Sequence, residues 1–373
     1  MNYIDNWEET KQRFMAWWDR SGMDRPLMKV TARKDGYQCR FTRNPVFYPV
    51  YTSGYKSPED YFLNVEKNVE QYRNYFRSHK LYAESFPNFD VNLGAGSLAL
   101  YLGCEPEFAE YTIWFKECIK DNWNEVMPLK FNPENKWWKK HLEMIDKALE
   151  LINGEFPVGI PDIVENVDIL SAMRGPQKFC YDLIDEPDLM FELLRQLDDL
   201  YFRYYDDIYE RVALKDGGSV YTVFQIWGPG KTAKVQCDFC AMMSPSQFRD
   251  FVVPSMRRQC KRLDSSIYHL DGPDAIKHLD ALMEIEELDA VQWTPGAGKP
   301  DGGDESWYPI YDKVVDAGKA LWIDIYQGSP DVWFEKADKL VKRYGSKYLY
   351  LLFGEMDERE ANDFLKKVAK TWR

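Results

Sequence analysis

The sequence predicts an α/β protein: one (β/α)8 TIM barrel spanning residues 1–373, with residues 1–85 as an N-terminal helical extension packed on it. From about residue 133, short apolar runs alternate with amphipathic helical patterns. This alternation is typical of a parallel sheet that helices cover on both faces. Repeated β-α units and a length of 373 residues favour a barrel over an open sheet.

The elements are predicted in order from local patterns. The N-terminal part is expected to form a helix over 5–23, a strand over 27–31 and a helix from Ser57-Pro58 to about 78. Further strands are predicted at 89–93, 111–115, 156–161, 220–226, 266–269, 290–293, 321–326 and 348–353. Helices are expected to start at Ser244-Pro245, Ser329-Pro330 and Asp357, the last as a capping box with Glu360.

The composition limits the class of function. The net charge is −13 and the pI is about 5.0, which disfavours nucleic acid as a partner. No apolar run is long enough for a membrane span and the N-terminus does not resemble a signal peptide, so we expect a soluble cytoplasmic protein. The seven cysteines are irregularly spaced, as reduced thiols are. The oligomeric state is open, with a homodimer as the alternative to a monomer.

The candidate catalytic centre is the stretch Ser266–Pro273. On a strand, Ile267, His269 and Asp271 point to one face, and the polar pair falls at the strand's carboxyl end. Barrels of this class hold their active sites at that end. The alternative interpretations are a hydrogen-bonded core histidine and a carboxylate that caps the next helix.

Other polar and aromatic residues fall near predicted strand ends. Asp238, within Cys237-x-x-Cys240, is expected in a loop over the cleft as a catalytic candidate, and the cysteine pair alone is a weak metal motif. Asp324 is a further catalytic candidate. The predicted substrate-binding residues are Gln225, Trp227, Trp293, Tyr326 and Asp162, although barrel-rim packing would also explain the two tryptophans.

Five motifs occur in a characteristic order and spacing: Asn92–Gly96 with Tyr101–Gly103, Tyr111–Phe115, Asp168–Arg174 continuing to Pro187, Ser244-Pro245 before a helix with Pro254, and Tyr268–Gly272. Together they resemble the uroporphyrinogen decarboxylase superfamily, which includes corrinoid-dependent methyltransferases such as the methylcobalamin:coenzyme M enzymes. The resemblance covers about residues 90–373. It implies a distorted barrel with a cleft at the strands' carboxyl ends.

In the methyltransferase branch of this superfamily, a His-x-Cys pair and a distant Cys bind zinc. In this sequence the first pair becomes His269-x-Asp271, and Glu355 falls near the place of the distant Cys. The resemblance therefore implies a metal site of His269, Asp271 and Glu355 for Zn²⁺ or another divalent ion. It also implies methyl transfer between a corrinoid and a small molecule. We expect a partner protein to supply the corrinoid, because the chain has no Asp-x-His-x-x-Gly motif.

Three other functions are compatible with the sequence. A metal-free decarboxylase of a tetrapyrrole or another carboxylated ligand would need cations in the cleft, for which the candidates are Arg25, Arg33, Arg40 and Arg43. A glycoside-active barrel would need two carboxylates about 5–10 Å apart. A barrel that binds a ligand without turnover is the last alternative.

Overall fold

A computed structural model describes residues 1–36 and 54–372. Its strands, within these ranges, are β1 (Leu27–Arg33), β2 (His79–Ala83), β3 (Glu105–Phe108), β4 (Ile113–Lys116), β5 (Ser219–Tyr221), β6 (Ile226–Gly228), β7 (Thr232–Gln236), β8 (Ser265–Asp271), β9 (Ala290–Thr294), β10 (Ala320–Ile325), β11 (Leu349–Phe353) and β12 (Met356–Asp357).

Helices surround these strands. The α-helices of the described residues are α1 (Trp7–Trp18), α2 (Pro58–Leu63), α3 (Val65–Ser78), α4 (Leu98–Tyr101), α5 (Lys136–Ile152), α6 (Asn166–Arg174), α7 (Pro176–Asp185), α8 (Pro187–Val212), α9 (Pro245–Gln247), α10 (Val253–Cys260), α11 (Leu279–Met283), α12 (Tyr308–Asp316), α13 (Pro330–Tyr344) and α14 (Glu358–Thr371). Within these same ranges, no helix combines the length and the apolar character needed to cross a membrane.

The fold is mixed α/β with a large, mostly parallel sheet. Eight strands form it in the order β12-β1-β11-β10-β9-β8-β7, with β2 antiparallel to β1. Strand β10 is buried along its whole length, as expected for a parallel strand covered on both faces. Two isolated parallel bridges, Phe89 to Val158 and Ile160 to Tyr221, lie outside the named strands, so the hydrogen-bonded ladder of the described residues does not close into a ring.

Most of the predicted strands of the C-terminal half are confirmed within one or two residues. The segments 89–93 and 156–161 contribute only the isolated bridges, and the predicted strand 220–226 is instead the antiparallel pair β5–β6. Gln225 has a positive φ of 53°, and the turn it forms reverses the chain between these two strands. The sequence analysis did not predict β7.

The N-terminal segment takes part in the central sheet as well as in the helical layer. Strand β1 pairs with β11, and β2 extends the sheet beside β1. Helix α1 packs its aromatic face on the start of β11, where Trp17 Nε1 donates to the Tyr348 carbonyl at 3.4 Å. The predicted helix over 57–78 is two helices, because Asn64 ends α2 and caps α3.

Helix α5 holds a buried histidine that makes the fold sensitive to acid. His141 is fully buried, its Nε2 donates to the Val91 carbonyl at 2.9 Å, and its Nδ1 accepts from Tyr101 Oη at 2.5 Å. Burial lowers the pKa of His141 to about 4.

We predict that His141 makes stability fall as the pH drops from about 6.5 towards 4. The folded state disfavours the imidazolium, so its contribution is complete above the unfolded pKa and about 3 kcal/mol is lost by pH 4. In urea unfolding followed over this pH range, His141→Gln should show a shallower acid slope than the wild type. His278→Gln is the control, because it removes a second buried histidine and leaves the contribution of His141 to the acid slope in place. Identical slopes for His141→Gln and the wild type would contradict the prediction.

Candidate metal centre

Three neighbouring parallel strands place polar side chains at one level of the sheet. In the β7–β8–β9 register, Gln236 is opposite His269, and His269 is opposite Gln292. Side chains two residues further along a strand return to the same face. Asp271 on β8 and Asp238, two residues after Gln236, therefore lie one step beyond this polar row.

Asp238, His269 and Asp271 form a potential metal-binding group. One ligand atom from each side chain lies within 4.8 Å of the other two. Both aspartates are exposed to solvent and His269 is partly buried. Among the described residues, this group of one histidine and two aspartates has a geometry that suits a metal ion.

Gln292 fixes the imidazole of His269. The ring Nδ1 donates to Gln292 Oε1, and Gln292 Nε2 in turn donates to Thr294 Oγ1 at 2.9 Å. With Nδ1 carrying the proton, Nε2 keeps its lone pair for a ligand. Burial, and next the charge of Lys234, lower the pKa of His269, which favours the neutral form that binds metals.

Lys234 supplies a buried positive charge beneath this group. Its side chain is only 3% exposed, and its Nζ lies 2.7 Å from Asp162 Oδ2 and also donates to Gln236 Oε1. Gln236 in turn contacts Asp238, because its Nε2 donates to Asp238 Oδ2 at 2.9 Å. Desolvation raises the pKa of Asp238 while Lys234 lowers it.

Asp168, at the start of α6, holds the turn that carries Asp238. Its carboxylate accepts from the backbone N–H groups of Asp238 and Phe239 at 2.9 Å each, and from Gln236 Nε2 at 3.0 Å. These bonds set the direction of the Asp238 side chain. Burial, followed by the charge of Asp238, raises the pKa of Asp168 to about 6.

Glu165, directly before α6, binds the backbone of β7, and the residues on both sides of it have strained backbone conformations. Its Oε1 accepts from the Gln236 backbone N–H at 2.8 Å, while its buried Oε2 has no hydrogen-bond partner among the described residues. Its neighbours Val164 and Asn166 have φ values of 53° and 49°, a region that non-glycine residues rarely occupy. Burial raises the pKa of Glu165 well above its usual range.

A cleft of about 510 Å³ opens beside Asp238. The β3–β4 hairpin forms one wall with Ile113, Trp114 and Phe115, and Phe239 lies on the lining as well. Trp114 is 64% exposed. The charged lining residues of the described part are the acids Glu117, Asp168 and Asp238, so the cleft is aromatic and acidic.

The structure brings together two of the three predicted metal ligands, His269 and Asp271, with Asp238 as the third member. Glu355 is not in this group. It follows β11, accepts from His79 Nε2 at 2.9 Å and lies 3.8 Å from Arg33. In the sheet order, β9 and β10 lie between β8 and β11, whereas β7 is directly next to β8.

The predicted substrate-binding tryptophans lie in packed surroundings. Trp293 points to the opposite face from Gln292 and packs against Trp307, with ring centroids 5.2 Å apart. Trp227 is buried on β6, and its carbonyl accepts from Trp18 Nε1 of α1 at 2.8 Å. Both positions fit the alternative interpretation of structural packing.

The remaining predicted residues lie around the polar row. Asp162 binds Lys234, as described above. Asp324 is buried on β10, and Tyr326 follows that strand with its backbone N–H donating to Asp301 Oδ2 at 2.8 Å. Gln225 is buried at the β5–β6 turn, where its carbonyl accepts from Tyr350 Oη at 2.9 Å.

The residues that support Asp238 and His269 are not among the predicted site residues. They are Lys234, Gln236, Glu165 and Asp168 around Asp238, and Gln292 beside His269. An available signal was the spacing of Lys234, Gln236 and Asp238, which alternate with Val235 and Cys237 as on a strand with one polar face.

Comparison with known proteins supports the fold. No family model matches the chain, and no curated protein matches it. Among solved structures, the chain is similar to a methyltransferase from Methanosarcina mazei, with a TM-score of 0.62 and 13% sequence identity. The match covers 97% of this chain and 98% of the other. At this identity the similarity shows a shared fold.

We predict that Lys234→Met destabilises the protein by about 3 kcal/mol, because it leaves Asp162 and its neighbouring acids without their buried counter-charge. Urea unfolding measures the change. The double variant Lys234→Met/Asp162→Asn should recover a large part of the loss. Lys231→Met is the matched control, since its pair with Asp206 is about one-third exposed and its removal should cost less than 1 kcal/mol. Equal stabilities for Lys234→Met and the wild type would contradict a neutralising role.

Proposed function

We propose that this protein is a metal-dependent methyltransferase of the uroporphyrinogen decarboxylase superfamily type, which moves a methyl group between a corrinoid and a small molecule. The observation that carries the proposal is the convergence of Asp238, His269 and Asp271 at the carboxyl ends of adjacent parallel strands. The match in fold to a methyltransferase over nearly the whole chain supports it.

The proposal includes a closed (β/α)8 barrel. The segments around Phe89, Val158 and Ile160 would complete the ring between β1 and β7. Their parallel bridges, and the hydrogen bond in which Thr232 N donates to Ser219 Oγ at 3.1 Å, support this arrangement.

The donor set fits Zn²⁺ or another divalent ion. One imidazole nitrogen and two carboxylates are borderline-to-hard ligands, and three protein ligands with an open position are typical of catalytic zinc. The mutual repulsion of Asp238 and Asp271 also favours a bound cation. Replacing the two thiolates of the methyltransferase branch by carboxylates makes the site more suitable for an oxygen or nitrogen substrate than for a thiol.

In this mechanism the protein's residues bind, orient and balance charge. When bound, the ion supplies Lewis-acid activation of the substrate heteroatom. His269 presents Nε2 because Gln292 holds its Nδ1 proton, while Gln236 and Asp168 hold Asp238 in place. Lys234 balances the charge of the surrounding acids.

The cleft favours a neutral or cationic substrate with apolar groups. Trp114, Phe115 and Phe239 offer aromatic surface, and Asp238 lies where this surface meets the proposed metal. A methyl ether or a methylated amine has this combination of an apolar group and one heteroatom. The corrinoid would arrive on a partner protein, because the chain has no cobalamin-binding motif of its own.

The decarboxylase alternative has less support. A substrate with several carboxylates would meet the acidic lining described above. Arg25 is paired with Glu84 and Arg33 lies beside Glu355, while Arg40 and Arg43 fall outside the described residues. The glycoside alternative would draw on Asp271, Asp324 and Glu355, and Glu355 pairs instead with His79 and Arg33.

We predict that the purified protein binds one divalent ion, measured by elemental analysis after gel filtration without chelators. His269→Ala and Asp238→Ala should lose the ion, and Gln292→Leu should lower the affinity by about 10- to 100-fold through loss of ring orientation. Glu355→Gln is the control and should keep the wild-type metal content. Loss of metal in Glu355→Gln but not in Asp238→Ala would instead support the ligand set predicted from the sequence.

We predict methyl transfer to free cob(I)alamin from a methyl ether or a methylated amine, because the proposed metal would activate the donor's heteroatom. Formation of methylcobalamin is followed by its absorbance. His269→Ala should reduce the rate at least about 100-fold. A parallel incubation with uroporphyrinogen tests the alternative, and release of CO₂ from it by the wild type but not by His269→Ala would overturn the methyltransferase proposal.

A further inference from the structure

The β3–β4 hairpin carries two cysteines at its base. Cys104 directly precedes β3, and Cys118 is two residues beyond β4. Their Sγ atoms are 3.6 Å apart, although 14 positions separate them in the sequence. The hairpin between them provides one wall of the cleft through Thr112, Ile113, Trp114 and Phe115.

The backbone holds both cysteines against the same place on α6. The backbone N–H groups of Cys118 and Ile119 each donate to the Met173 carbonyl at 3.0 Å. The Cys104 thiol lies 3.8 Å from the Ala172 carbonyl, and its backbone N–H donates to the Ala99 carbonyl at 3.0 Å. The backbone hydrogen bonds therefore keep the two cysteines, and with them the two sulfurs, near each other.

The two thiols differ in a way that suits stepwise oxidation. Cys104 is 1% exposed, whereas Cys118 is partly exposed and can be reached by a small reagent. The Cys104 thiol donates to Cys118 Sγ, which lowers the pKa of Cys118 and raises that of Cys104. The reachable sulfur is thus the one with more thiolate character, as expected for an attacking thiol.

We propose that Cys104 and Cys118 form a reversible disulfide in the presence of a low-molecular-weight disulfide oxidant, and that this bond clamps the hairpin wall of the cleft. The sulfurs need to approach by about 1.5 Å to reach the disulfide length of about 2.05 Å. The bond would close a loop of 15 residues that contains the whole hairpin, counted from Cys104 to Cys118. The inference does not depend on a metal or on methyl transfer.

The chemistry balances with one equivalent of oxidant. The Cys118 thiolate attacks one sulfur of the oxidant's disulfide, which breaks that bond and releases one thiolate. Cys104 then loses its proton and attacks Cys118 Sγ, which forms the Cys104–Cys118 bond and releases the second thiolate. Two protein thiols are oxidised and the small disulfide is reduced to two thiols.

Clamping would act on the cleft because the two cysteines flank the hairpin whose β4 strand lines it. Ile113 and Phe115 lie directly over Gly94 and Gly96, where an added Cβ would come within 3.0 Å of each side chain. Trp114 points outward. A covalent bond at the base of the hairpin would restrict the movement of this wall relative to α6 and so restrict the width of the cleft.

Peptide mapping under non-reducing conditions tests the proposal. The full-length protein is reduced, freed of reductant and treated with oxidised glutathione before trypsin digestion and mass spectrometry. Trypsin cuts after Lys116, so the disulfide would link peptide 81–116 to peptide 117–120, with the loss of two hydrogens. Cys104→Ser should instead retain glutathione on Cys118, and Cys118→Ser should leave Cys104 unmodified.

Cys180→Ser is the matched control, because Cys180 is also partly exposed but lies outside the hairpin. It should form the linked peptides as the wild type does. Absence of the linked peptides in the folded wild type, or glutathione on Cys180 without a Cys104–Cys118 bond, would overturn the proposal.

Hydrogen exchange tests the clamp separately from the bond. Amides of residues 105–117 should exchange at least about tenfold more slowly in the oxidised than in the reduced protein, and dithiothreitol should reverse the change. Cys104→Ser should show no such difference. A disulfide that forms without slowing exchange in the hairpin would refute the clamping role.

Discussion

The register of β7, β8 and β9 is the constraint on which the candidate metal centre depends. Parallel pairing places Gln236, His269 and Gln292 side by side, and the two-residue period of each strand then brings Asp238 and Asp271 to one height above them. A shift of one residue in either pairing would turn one of these side chains into the helical layer. The positions of the candidate ligands therefore depend on the pairing of these strands more than on the conformation of any loop.

Charge is the second condition that the fold has to satisfy. Five acids lie near the carboxyl ends of these strands: Asp162, Glu165, Asp168, Asp238 and Asp271. Burial raises the pKa of Glu165, Asp168 and Asp238. Lys234 and the backbone N–H groups of the Asp238 turn offset part of this repulsion. The positive φ values at Val164 and Asn166 show that the backbone between α6 and the preceding segment is strained to bring Glu165 to β7.

The sequence was sufficient to predict the elements whose side chains follow a clear period. Strands β8 to β11 are buried over most of their length and begin near their predicted positions, and the alternation in Ser266–Asp271 correctly paired His269 with Asp271. Strand β7 was missed because Thr232–Gln236 contains Lys234 and Gln236, polar residues that local propensity assigns to loops. Their burial depends on Asp162, Glu165 and Asp168, which lie 68 to 72 positions away in the chain.

The sequence could not determine which strand ends are neighbours. The family resemblance implies Glu355 as the third ligand, whereas Asp238 is expected only in a loop over the cleft because β7 is not predicted. The sheet order separates them: β7 is adjacent to β8, whereas β11 is three strands away, about 14 Å along the ladder. The packed positions of Trp227 and Trp293 could not be predicted for the same reason, because the face to which an aromatic residue points is set by its strand's register.

The solvent exposure of Asp238 and Asp271 has a consequence for how reactants would arrive. Asp238 lines the cleft, and both carboxylates are exposed to solvent. A reactive group that stays bound to a bulky carrier could therefore be presented to them, with no need for the carrier to release it. For the proposed methyl transfer, access of this kind suits a second reactant that another macromolecule presents, and selectivity would then depend on the shape of the two surfaces that meet.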